Sequence, residues 1–166
     1  MFSAERNGSP VMSAICRAQT APNAGGGYVL WVTDGTAAGT SNIFSGTQTF
    51  GTQSPYGFAA LRDRAIFAAR DPSGFAGVWV TQGTGASTIE IVSGQQDTAL
   101  LSPQQFTLVG GRVLFQGFDS NNLNAIFATS GVDGDPVGLF EFDKPRARLT
   151  SFGDFAVVVD ADFFGG

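Results

Sequence analysis

The chain has no histidine, a single cysteine and only 14% charged residues, and each shortage narrows what it can be. Without histidine, the Ser–His and Cys–His pairs that activate most enzymatic nucleophiles cannot be built. One cysteine, Cys16, cannot form an internal disulfide, and its place ahead of the repeats described below sets it outside the expected core. Nine Lys and Arg against fourteen Asp and Glu leave a net charge of −5 and a pI near 4.4. The cations are scattered, so no basic stripe is available for nucleic acid or for an anionic membrane. Apolar runs are short. None is long enough to insert in a membrane as a helix, and Arg6, Asn7, Gly8, Ser9, Pro10 and Arg17 interrupt the N-terminal stretch where a secretory signal would lie. Apolar residues at helical spacing are almost absent as well.

What the chain holds in quantity is phenylalanine, 16 residues, and glycine, 23 residues, within a composition that is 43% hydrophobic. That is enough apolar material for a substantial core. Short strands joined by glycine-bearing turns account for both excesses, and the expected class is all-β.

The strands are organised by a motif. Leu30-Trp31-Val32-Thr33-Asp34-Gly35-Thr36-Ala37-Ala38-Gly39-Thr40 returns as Val78-Trp79-Val80-Thr81-Gln82-Gly83-Thr84-Gly85-Ala86-Ser87-Thr88, and in shorter form as Ile126-Phe127-Ala128-Thr129-Ser130-Gly131. Each copy lies 48 residues after the last, a period found in arrays of short strands such as propellers. Phe58 with Phe106, Leu61 with Val109, Arg64 with Arg112, Phe67 with Phe115 and Asp71 with Asp119 keep the same offset. A unit then reads as a strand over 58–62, a tight turn at Asp63-Arg64 or Gly110-Gly111, and a strand over 65–70. A loop opened by Asp71 or Asp119 follows, then the strand carrying Trp79 or Phe127, a tight motif turn, and a last strand near 88–92 or 136–142. This predicts four-stranded antiparallel meanders. Past Lys144-Pro145 the pattern resumes at an offset of 43, pairing Phe115 with Val158 and Asp119 with Asp162.

The expected organisation is an arm over 1–27, rich in Ala, Ser, Asn, Gly and Pro, and a propeller-like repeat domain over 28–166. Within it, residues 56–103 and 104–148 form whole units, and 28–55 and 149–166 form halves holding two strands each. Twelve strands make three blades, fewer than a closed ring uses. Either the chain is a piece of a longer array or binds another protein partner, or, as the favoured expectation, it is a homo-oligomer: a dimer whose six-bladed ring contains two composite blades, each joining 149–162 of one chain to 28–44 of the other.

Through Leu30-Trp31, Asp34-Gly35-Thr36 and Gly39-Thr40, with Gly111-Arg112-Val113-Leu114-Phe115 and Asp119 in the preceding strands, the chain resembles the bacterial ELWxxDGTxxGT repeat proteins, also described as hyalin-like. The resemblance spans roughly 28–166 and is closest in the first copy. It implies tandem propeller-like repeats and a secreted or surface-associated protein, and it implies no enzymatic activity.

Several residues are candidates for chemistry. Trp31, Trp79 and Phe127 share one repeat position, which reads first as a packed layer between sheets and second as a stacking platform for sugar rings. Asp71, Asp119 and Asp162 recur with the repeat and could offer oxygens to calcium, though a lone Asp capping its own loop explains them too. Asp34 with Gly35, Gly83 and Gly131 read as structural turn residues, since Gln82 and Ser130 replace Asp34 without keeping its charge. Asp154, Asp160 and Asp162 cluster near the C-terminus, where two carboxylates facing one way could serve a glycoside hydrolase. The function read from these residues is a non-catalytic binding or assembly scaffold, with no cofactor and no nucleic-acid or membrane partner. The alternatives are a carbohydrate-binding lectin and a glycoside-active enzyme.

Overall fold

A computed structural model describes residues 13–19, 27–33, 35–43, 55–96, 99–134, 136–142 and 147–160. Every regular element among them is a strand. Sheet I contains β1 (Ser13–Gln19), β2 (Gly27–Thr33) and β3 (Ser41–Asn42); sheet II contains β4 (Tyr56–Leu61), β5 (Arg64–Arg70), β6 (Ala76–Thr81) and β7 (Ile89–Val92). A small hairpin, β8 (Gln95–Gln96) with β9 (Ala99–Leu100), leads to sheet III, made of β10 (Gln104–Val109), β11 (Arg112–Phe118), β12 (Asn124–Thr129) and β13 (Val137–Phe142). Last comes the hairpin of β14 (Ala147–Phe152) and β15 (Phe155–Asp160). All pairings are antiparallel and sequential, so sheets II and III are the expected four-stranded meanders.

The sheets repeat down to their irregularities. The register of β4 against β5 shifts between Tyr56 and Ala59, and that of β10 against β11 shifts between Gln104 and Thr107. The first residue inside each shift, Gly57 in one and Gln105 in the other, has positive φ, the left-handed conformation of a G1-type bulge. A second shift recurs at Val78/Trp79 and at Ile126/Phe127.

Alternation along the strands of sheets II and III sends apolar side chains to both faces, which is the pattern of a sheet covered on both sides. From β5, Phe67 and Ala69 join Leu30 and Ile43 of sheet I in one buried cluster. From the opposite face of the same sheet, Ile66, Val78 and Val80 meet Val113 and Phe115 of sheet III. Sheet III in turn places Leu114, Ile126 and Ala128 against Leu149 and Ala156 of the β14–β15 hairpin. The four units therefore pack face to face in chain order. Phe67 and Phe115 are fully buried, with Phe58 stacked on the first at 5.1 Å and Phe106 on the second at 5.5 Å.

Three expectations change. Ser13–Gln19, inside the stretch expected as an arm, forms β1 and pairs with β2 through Ile15↔Trp31 and Cys16↔Leu30. Sheet I thus has three strands where two were expected, and with β8 and β9 the described strands number fifteen rather than twelve. The turn expected at Asp63-Arg64 is Arg62-Asp63, because Leu61 closes β4 and Arg64 opens β5. Arg62 has a φ of 57°, the left-handed conformation that Gly110 and Gly153 take in the equivalent turns.

Candidate functional site

The motif is the most repeated feature, and its geometry rests on threonine. In the first copy, the Gly35 N–H donates to Thr33 Oγ1 at 3.0 Å, Thr33 and Thr40 share a hydroxyl contact of 2.6 Å, and Thr40 Oγ1 donates to the Thr36 carbonyl at 2.6 Å. The second copy repeats all three: Gly83 N to Thr81 Oγ1 at 3.0 Å, Thr81 to Thr88 at 2.7 Å, and Thr88 Oγ1 to the Thr84 carbonyl at 2.7 Å. In the third, the Gly131 N–H donates to Thr129 Oγ1 at 2.9 Å. This corrects the expectation of a tight turn. Between β2 and β3, as between β6 and β7, lies a longer loop stitched by hydroxyls, with Gly35, Gly83 and Gly131 at φ of 92°, 94° and 80°.

Substitution inside the motif is compensated locally. Where the first copy has Gly39, whose N–H donates to Thr36 Oγ1, the second has Ser87, whose hydroxyl contacts the Gln82 and Thr84 N–H groups and Thr84 Oγ1. Gln82 donates through Nε2 to Asp63 Oδ2 at 2.7 Å, tying the motif loop to the Arg62-Asp63 turn of the same sheet. That bond is the main reason the Asp63 carboxyl sits below its ordinary pKa. Asp34, expected as a turn residue, lies outside the described residues.

The loop also meets its neighbour. Arg64 Nη1 of sheet II donates to the Gly131 carbonyl of sheet III at 3.1 Å. A Cβ on Gly131 would stand 3.1 Å from Arg64 Cδ, 3.2 Å from Ile66 Cδ1 and 3.5 Å from Leu61 Cδ2. The motif glycine of sheet III is seated in a socket of sheet II.

The aromatic motif position belongs to the same interfaces. Trp79 is half-buried against the cluster joining sheets I and II, and Phe127 against the cluster joining sheets II and III, stacked on Phe115 at 5.3 Å. Trp31 is half-buried, and its buried Nε1 has no hydrogen-bond partner among the described residues.

The repeated aspartates cap their own loops. Asp71 Oδ1 accepts the Phe75 N–H at 2.8 Å, while Asp119 Oδ1 accepts those of Asn121 at 2.9 Å and Leu123 at 2.8 Å. Donation from Leu123 is the first cause of the lowered pKa of Asp119. Asp162, the third calcium candidate, lies outside the described residues. Among those described, no three His, Cys, Asp or Glu side chains converge. Of the C-terminal carboxylates, Asp154 is exposed in the β14–β15 turn, Asp160 closes β15 with its side chain outside the description, and Asp162 again lies beyond it.

Two features escaped the sequence reading. Thr33, Thr81 and Thr129 were visible as a repeated residue but not as the acceptors that fix the loop. Glu90, on β7 opposite Trp79, has its Oε1 buried, and burial raises its pKa. No family model, curated protein or solved structure matches the chain.

Proposed function

We propose that the chain is a non-catalytic assembly scaffold of propeller-like blades, of the kind its resemblance to the ELWxxDGTxxGT repeat proteins implies, and that it associates with further copies of itself. One observation carries this reading. On the β14–β15 hairpin, Phe152, Phe155, Val157 and Val159 are 76%, 73%, 52% and 52% exposed. Their equivalents in sheet II include Leu61 and Ile66, which sheet III covers to 2% and 0% exposure. Four large apolar side chains on one hairpin form the kind of surface that marks an association site. In the preferred arrangement two chains complete a six-bladed ring.

Concentration-dependent capture of dissolved protein by an immobilised copy tests the reading, together with a glycan array. The expected result is saturable self-capture and a blank array. Retention on glycans that Trp31→Ala and Trp79→Ala abolish would replace the scaffold with a lectin.

A further inference from the structure

We infer that the second copy adds its β2 to the free edge of β15, and that β1 holds that place within each chain until assembly exchanges it. The inference rests on the assembly reading above and specifies its junction strand by strand.

The repeat supplies the register. In sheet II, Ile66 lies opposite Val80 and Phe67 opposite Trp79; in sheet III, Phe115 lies opposite Phe127. In the β14–β15 hairpin, Val157 and Val158 stand where Ile66 and Phe67 stand in sheet II, and among the described residues β15 pairs only with β14. The strand missing from that edge is one of the motif type. β2 is such a strand, and the same register sets its Val32 opposite Val157 and its Trp31 opposite Val158. Within its own chain β2 is already paired with β1, through Ala14↔Val32 and Cys16↔Leu30. These register positions are the ones that Ile66 and Ala68 fill in sheet II, opposite Val80 and Val78. β1 brings alanine and cysteine to them, whereas β15 brings Val157 and Val159. Exchange therefore gives β2 a more apolar, β-branched neighbour and removes the exposed edge of β15.

The motif loop supplies a second, independent contact. Gly131 is seated between Leu61, Arg64 and Ile66, but a Cβ on Gly35 would have no atom within 4 Å. Sheet III carries the equivalent socket in Val109, Arg112 and Leu114, and Arg112 is exposed. When β2 of a second copy joins β15, its Gly35 loop comes beside that socket as Gly131 comes beside Arg64. Arg112 then donates to the partner's Gly35 carbonyl. Each chain carries both halves of the junction, so the contact continues the interface that already joins sheets II and III.

A cysteine pair tests the register. Two variants, Val157→Cys and Val32→Cys, each also carrying Cys16→Ser, are mixed, allowed to exchange and oxidised. Directly opposed strand residues fall within disulfide reach. The expected product is a two-chain species whose link maps to 157 and 32, absent when Thr40→Cys replaces Val32→Cys. Arg112→Ala, at an exposed site, is expected to weaken association about tenfold without lowering the melting temperature of the dilute chain. Assemblies that form without the 157–32 link would overturn the strand exchange and leave the scaffold standing. A link formed inside single chains of a dilute double variant would overturn the second copy as the occupant. Chains that never associate would sink both inferences.

Discussion

At the scale of single residues, the motif loops are fixed by threonine hydroxyls. Thr81 is 1% exposed, and its oxygen both receives the Gly83 N–H and contacts Thr88. Thr81→Val keeps the shape and strands that N–H, so about 1–3 kcal/mol of stability should be lost. Chemical denaturation measures it, and an unchanged midpoint would show that the loop holds itself. Glu90 makes the opposite case. Burial raises its pKa, with Asp71 adding in the same direction and a hydrogen bond from Gly94 opposing. A carboxyl whose folded pKa lies above its unfolded value contributes stability below the unfolded value, and that contribution is lost as pH rises through the folded one. Glu90→Gln should therefore raise the urea midpoint at pH 7, with the advantage shrinking as the pH falls toward the ordinary glutamate range. A lower midpoint at pH 7 would mean the carboxylate is stabilised by contacts that outweigh its burial. Neither role was legible in the sequence, because a hydroxyl acceptor and a buried carboxylate are both products of how strands meet.

At the scale of elements, much was legible. The 48-residue offset between the second and third copies carries no insertion, so aligning the two copies also aligned their strands, bulges and Asp-capped loops. The stacked pairs Phe58–Phe67 and Phe106–Phe115 keep that offset in space. Phe115 is fully buried between sheets II and III, and truncation to alanine should cost about 3–5 kcal/mol in equilibrium unfolding. A loss below about 1 kcal/mol, the range of surface substitutions, would mean that the two sheets are not held through it. Two elements were misread for identifiable reasons. Asp63 is a common turn residue and drew the turn one position late, whereas the left-handed position falls to Arg62, whose side chain gives no such signal. β1 lacks the period altogether: Ile15, opposite Trp31, precedes Phe67, opposite Trp79, by 52 residues, and no Phe or Gly marks the strand.

At the scale of the whole molecule, sheets II and III are apolar on both faces and pack against the units on either side, a consequence of strands such as Arg64–Arg70 that send Ile66 one way and Phe67 the other. The same alternation leaves Phe152, Phe155, Val157 and Val159 exposed on the β14–β15 hairpin. We propose that this surface joins chains into a defined assembly. The most direct measurement is molar mass by light scattering at micromolar concentration and in dilution. The expected result is a plateau at twice the 17.3 kDa of one chain, dissociating on dilution. A mass of one chain at every concentration, or a mass that climbs without a plateau, would contradict it.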